Sequence, residues 1–168
     1  FHAAFFGDKN IYQSNDMLNY MPQEMIDNWS SSFNFNLGWR PEDFRLAQES
    51  WPKVEQLVRM LHDNKILLTA GTDANNPWVV PGDSFHTELE LLNKCGLSTG
   101  DVLRIATLNG AKMLGISHRT GLVKKGYEAD LVLLEGNPLE DIRNTRKINV
   151  VINNGKKLEP SQIKSSLR

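Results

Sequence analysis

Lys65-Ile66-Leu67-Leu68-Thr69-Ala70-Gly71-Thr72-Asp73 is the stretch on which the reading of this chain turns. A short apolar run ends in glycine, threonine and then a carboxylate, and Ala74, Asn75, Asn76 and Pro77 follow as a loop. A run of this length bounded by turn residues predicts a fully buried strand of a parallel sheet. An acid at the carboxyl end of such a strand stands where α/β proteins keep their chemistry. A helix or loop cap is the plainer use for the same aspartate, and the segment alone admits both.

Upstream, Phe44, Ala47, Trp51, Val54, Val58 and Leu61 recur at spacings of three and four, one face of a helix over 41–63. Pro41 suits its first turn, Pro52 predicts a kink or break, and Asn64 is placed to close it in the left-handed conformation. Helix, tight turn and buried strand in succession are the grammar of an α/β fold. Residues 1–40 carry nine of the fourteen aromatics: Phe1, Phe5, Phe6, Tyr12, Tyr20, Trp29, Phe33, Phe35 and Trp39. They lie among polar residues without a clear period, which predicts a long, partly helical loop with one short helix from Pro22 to Trp29. Such loops serve as lids or binding loops, or simply pack on a neighbour.

Downstream, Phe85, Leu89 and Leu92 share the face of a helix over 84–96 that Gly96 stops. Ser98 caps the next helix, Asp101 favours its positive end, and the helix runs to Gly115. Beyond Gly115 the runs turn β-like, at 121–123, 129–134 and 148–152, with Asn154-Gly155 as a hairpin turn. The tail, 161–168, is polar and predicted to fray.

Composition removes several function classes. A net charge of −1 over 168 residues supplies no field to gather nucleic acid or an anionic membrane surface. No apolar run approaches a transmembrane span. Cys95 stands alone, so neither an internal disulfide nor a thiolate-rich zinc cluster can form, and it reads as a small core hydrophobe. The opening Phe1-His2-Ala3-Ala4-Phe5-Phe6 has neither methionine nor a charged signal-type start, which reads as the interior of a longer protein.

Five features then stand in one order: Gly71-Thr72-Asp73; Pro81-Gly82-Asp83-Ser84-Phe85-His86-Thr87-Glu88-Leu89; Ala106-Thr107-Leu108-Asn109-Gly110-Ala111-Lys112-Met113-Leu114-Gly115; Gly121 to Val132; and Val150-Val151-Ile152-Asn153-Asn154-Gly155-Lys156. This succession, over about residues 54–158, resembles the C-terminal part of the metal-dependent amidohydrolase superfamily, and is most similar to its imidazolonepropionase-like branch with its dipeptidases. The resemblance implies an α/β fold, the C-terminal part of a (β/α)₈ TIM-type barrel plus part of a small flanking β-sandwich. Residues 1–115 become barrel, with 66–71 as its eighth strand, and 116–160 become sandwich strands. A complete barrel takes about 250 residues, so this chain holds only its last quarter.

By the same resemblance Asp73 is a metal ligand and the catalytic proton shuttle. His86, in the loop-to-helix segment beyond it, reads as a substrate contact able to meet a substrate carboxylate or line the mouth, with a capping or packing histidine as the plainer use. The implied cofactor is a divalent metal of the zinc type, one or two ions. Carboxylates suit that work because a metal-bound water is acidic and a neighbouring acid can carry its proton to a leaving amine. Asn75, Asn76 and Trp78, just past the acid, are placed to contact substrate but read first as a solvated loop, Thr72 as orienting Asp73, and Glu88 and Glu90 as a solvated helix face. Thr107 and Asn109 read as structural hydrogen-bonders, and Asp130 as a turn residue. His2, His62 and His118 have no ligand-like spacing. The family's other metal ligands have no counterpart, since no His-x-His occurs.

The leading expectation is therefore part of a hydrolase of carbon–nitrogen bonds, inactive alone. Its implied partners are a small-molecule or peptide-like substrate and the missing N-terminal part of the same protein, with self-association into a homo-oligomer compatible. Two other readings stand beside it. One is a non-catalytic binding or assembly subunit with an amidohydrolase-like fold. The other is a free-standing doubly wound α/β domain, against which the β-rich end argues.

Overall fold

A computed structural model describes residues 2, 6, 15–31, 40–74 and 76–166. The expectations for Phe1, Phe5, Tyr12, Phe33, Phe35, Trp39 and Asn75 lie outside them. After a 3₁₀ turn at Asp16–Tyr20, the helices are α1 (Gln23–Ser31), α2 (Pro41–Asp63) and α3 (Asp83–Lys94). Next come α4 (Thr99–Arg104), a π-type turn (Ile105–Asn109) and α5 (Gly110–Met113) in unbroken succession. The sheet strands are β1 (Leu131–Leu134), β2 (Ile148–Asn153) and β3 (Lys156–Leu158), with a 3₁₀ turn at Ile142–Arg146 and a last helix α6 (Pro160–Ser166).

Local chemistry accounts for most boundaries. Pro41 opens α2, and the Asp43 carboxylate accepts from the Arg40 N–H at 2.8 Å. Ser98 Oγ accepts from the Asp101 N–H at 3.1 Å and caps α4. Asn154 (φ 49°) and Gly155 (φ 75°) join β2 to β3, and positive φ at both central positions is what a two-residue hairpin needs. β1, β2 and β3 pair antiparallel in that order, with Leu131 opposite Ile152 and Val151 opposite Leu158. Asp130 is the predicted turn residue: its Oδ1 accepts from the Asn154 N–H at 2.6 Å.

Six expectations are corrected. Pro52 does not break α2, which continues through it. The left-handed residue closing α2 is Lys65 (φ 62°), not Asn64 (φ −83°). The Lys65 N–H donates to His62 O and the Ile66 N–H to Leu61 O, so Lys65 occupies the position just past the cap. The apolar face of α2 has no buried residue; only Val58 packs against the core. The tail over 160–166 is helical, because Pro160 suits a first turn and the new helix packs on β2.

Last, residues 66–70 join no ladder, and Ile66 and Leu67 are 54% and 50% exposed where full burial was expected. A central strand needs a neighbour on each side, and no described segment supplies one here. The residues 121–123 likewise form no strand.

The main core gathers Leu89 and Leu92 of α3, Leu97, Val102, Ile105 and Ile142, with Leu68, Ala70 and Phe85 against it. Cys95 packs there as a partly buried small hydrophobe. A second cluster joins Leu18, Trp29, Trp78 and Val80. Where α5 meets the β unit, Gly121 (φ 90°) leaves no room for a side chain. A Cβ there would stand 2.8 Å from Ala111 Cβ and 3.1 Å from Leu108 Cα. Gly121→Ala is therefore expected to cost about 2–4 kcal/mol, from left-handed strain and overpacking together. Urea unfolding of the variant checks this, and an unchanged midpoint would refute the tight contact.

Candidate active site

Asp73 follows the unpaired segment and is exposed. Its backbone is left-handed at φ 56°, a conformation that aspartate tolerates better than most residues. Asn76 holds that geometry, its N–H (3.3 Å) and its Nδ2 (3.0 Å) both donating to the Asp73 carbonyl. Among the described residues the Asp73 carboxylate has no hydrogen-bond or ion-pair partner. The Thr72 hydroxyl makes no hydrogen bond to it either. A strained backbone that presents an uncommitted acid is an arrangement found at functional sites.

The segment before Asp73 is fixed from the side by helices. Asn109 Nδ2, on the π-type turn, donates to Leu68 O at 2.9 Å. The Gly71 N–H donates to the Glu88 carboxylate on α3. Asn109 thus bonds backbone as expected, and Thr107 does so too, to Leu103 O at 2.8 Å. Glu88 is not on a solvated face. Burial pushes its carboxyl above the usual glutamate range, against the pull of the Gly71 bond.

A raised folded pKa means that folding favours the protonated form. The associated stability is complete below the unfolded pKa and is lost as pH rises through the folded one. Glu88→Gln removes this titration and keeps an acceptor for Gly71. Relative to the parent, the variant is expected to gain stability as pH is raised from about 4 to about 8. Unfolding curves across that range would show a flat difference if Glu88 were solvated.

His86 sits near the start of α3, half-buried. Its Nδ1 lies 3.0 Å from Thr145 Oγ1. Burial, then the charge of Arg146, lower its pKa, while Asp83 and Glu90 oppose them. Arg146 is clamped along the same helix: Nη1 to Asp83 Oδ1 at 2.6 Å, Nε to Glu90 Oε1 at 2.8 Å, and Nη2 to Thr87 Oγ1 at 2.9 Å. Glu90 is therefore an ion-pair partner rather than a free surface acid. Thr145 and Arg146 end the 3₁₀ turn of the β unit, so that unit grips the helix carrying His86.

Asp73 and His86 share no direct bond. They are coupled through Glu88, which ties α3 to Gly71, and through the loop 74–82. Trp78 anchors that loop; it is buried, not solvated, at 4% exposure, with its ring 5.9 Å from that of Trp29. No local signal marked Thr145, Arg146 or Trp78, since each acts on residues far away in sequence or through a backbone conformation that periodicity does not encode. His2 packs between Phe6 (4.9 Å) and Trp51 (5.2 Å), and His62 lies near Asp63 and Asp101.

A carboxylate oxygen is the donor type that hard and borderline divalent cations take. One such donor does not make a centre, and among the described residues no group of three or more His, Cys, Asp or Glu side chains could hold a metal.

Comparison with known proteins places most of the chain in one family. The family model described as Amidohydrolase family matches residues 45–158. Ochratoxinase of Aspergillus niger is 34% identical over 102 residues, which are 58% of this chain and 21% of that protein. Imidazolonepropionase of Kosmotoga olearia is 37% identical over 51 residues, 30% of this chain and 13% of that protein. A solved structure described as a putative prolidase from Bifidobacterium longum superposes with a TM-score of 0.64 at 30% identity, covering 72% of this chain and 30% of that one. The chain thus spans about a fifth of the curated relative that it matches over the longest stretch. Among solved folds its likeness is to mixed helix-and-sheet amidohydrolases.

Proposed function

Because the chain belongs to the amidohydrolase family, we propose that it forms the acid-bearing part of a metal-dependent hydrolase that cleaves carbon–nitrogen bonds. Its substrate is an amide, a cyclic amide or a dipeptide. The observation that carries this reading is Asp73: an exposed carboxylate without a partner among the described residues, on a strained left-handed residue inside the family match. The names of the relatives, ochratoxinase, imidazolonepropionase and prolidase, support the reaction class.

The family generally uses divalent metals. We assign Asp73 as one protein ligand of a zinc-type centre of one or two ions, the other ligands coming from polypeptide outside the described residues. When bound, such an ion supplies an acidic water close to the carboxylate. Asp73 has an oxygen to spare because no described residue engages its carboxylate. It can take a proton and return it to a leaving nitrogen within hydrogen-bond reach. Asn76 keeps the acid in place, and Glu88 and Asn109 hold the segment that leads to it. His86, on the helix tied to that segment, contacts the substrate.

The test is made on the full-length protein with a dipeptide and a cyclic amide as substrates. Hydrolysis is expected, with loss after dialysis against a chelator and recovery on adding zinc. Robust hydrolysis that survives complete metal removal would overturn the metal-dependent reading. A metal-free protein that hydrolyses neither substrate would favour the binding-subunit alternative.

A further inference from the structure

The contact between His86 and Thr145 carries more than a packing role. Thr145 is buried, and its Oγ1 has two neighbours: Ile142 O at 2.8 Å and His86 Nδ1 at 3.0 Å. A hydroxyl has one hydrogen to give. A carbonyl oxygen can only accept, so the Thr145 hydrogen goes to Ile142. A lone pair of Oγ1 then faces His86 Nδ1, and only a protonated Nδ1 makes that contact favourable. In a neutral ring the other nitrogen is bare.

Resting on the reading of His86 as a substrate contact, we propose that Thr145 locks His86 as its Nδ1–H tautomer, so that Nε2 offers a lone pair and selects a substrate N–H group over a carboxylate.

Three further observations agree. Nε2 has no partner among the described residues, so its lone pair is available. Asp83 and Glu90 on the same helix carry two negative charges against the single positive charge of Arg146, so the residual local charge repels an anion. Burial and the nearby Arg146 hold the ring neutral near pH 7, in the state in which Nε2 accepts. The expectation that His86 meets a substrate carboxylate requires the opposite, a ring charged and donating from Nε2. Thr145 is on this account a positioning residue: it acts on substrate only through the imidazole.

Two measurements on the full-length protein decide it. The first is nitrogen-15 NMR of histidine-labelled protein at pH 7.5, with the His86 signal identified by its loss in His86→Gln. The parent is expected to show a protonated Nδ1 and a bare Nε2. Thr145→Val should move the proton towards Nε2, and Thr145→Ser should restore the parent spectrum. A parent ring protonated on Nε2, or on both nitrogens, overturns the proposal.

The second measurement compares a dipeptide with the same dipeptide carrying a C-terminal carboxamide in place of the carboxylate. His86→Ala should raise KM for both substrates, and about tenfold more for the carboxamide than for the dipeptide, the loss of one hydrogen bond made only to the carboxamide. Thr145→Val should erase part of that discrimination and Thr145→Ser restore it. A larger penalty on the carboxylate-bearing peptide overturns the selectivity. The NMR arm needs no turnover, so failure of the hydrolase reading and failure of the tautomer assignment are read separately.

Discussion

Asp73→Asn is expected to lower kcat/KM of the full-length protein by about 10²–10⁴-fold while leaving its stability close to that of the parent. The two halves of that expectation rest on separate facts. The Asp73 side chain has no partner among the described residues, so replacing a carboxylate oxygen by an amide nitrogen breaks no internal bond. Asparagine also tolerates the left-handed conformation that position 73 adopts at φ 56°. The backbone contact from Asn76 goes to the Asp73 carbonyl and survives the substitution. What changes is the ability to carry a proton and the charge offered to a cation. Asp73→Ala adds the strain of a left-handed alanine, so it should lose stability as well as rate. Steady-state kinetics beside urea unfolding separates these effects. An asparagine variant with near-parent turnover would remove Asp73 from the chemistry, and a rate loss matched by unfolding would give it a structural role instead.

Much of this molecule was legible where its signals are local. Ser98 with Asp101, Gly96, and the Asn154-Gly155 pair each fix backbone geometry through their own side chain or its absence, and the structure has them doing so. Leu89 and Leu92 were readable because helical spacing gathers them on one side whatever the partner. The segment at 66–71 was not, because burial of a strand is a property of its neighbours. Its apolar run is real, yet Ile66 and Leu67 stand half exposed, with no described strand paired to them.

The site divides in the same way. Asp73 and His86 announce themselves by residue type and by position after an apolar run. The groups that govern them lie far along the chain: Thr145 is 59 residues from His86, and Arg146 is 63 from Asp83. Glu88 looks like any surface glutamate until the Gly71 N–H is found against it. Sequence spacing carries periodicity, and these contacts have none.

Trp78→Ala should show how far the site depends on that remote support. Trp78 and Trp29 are each 4% exposed, with Leu18 and Val80 packed beside them and Met17, Met21, Met25 and Ile26 around the rim. Removing a buried tryptophan costs about 3–5 kcal/mol. Alanine retains a Cβ, so the left-handed strain at position 78 (φ 66°) is not relieved and the full loss is felt. The loop from Asp73 to α3 then loses its anchor, although Trp78 itself need touch no substrate. The expected result is a strongly lowered unfolding midpoint together with a fall in turnover, and Trp78→Phe should recover much of both. Trp29→Ala removes the other half of the same contact, so the two alanine variants should not add: the double variant is expected to fall short of the sum by about 1 kcal/mol or more. Strict additivity in denaturant unfolding would mean that the two indoles act independently. The 15–31 segment would then be packing on the loop without holding it.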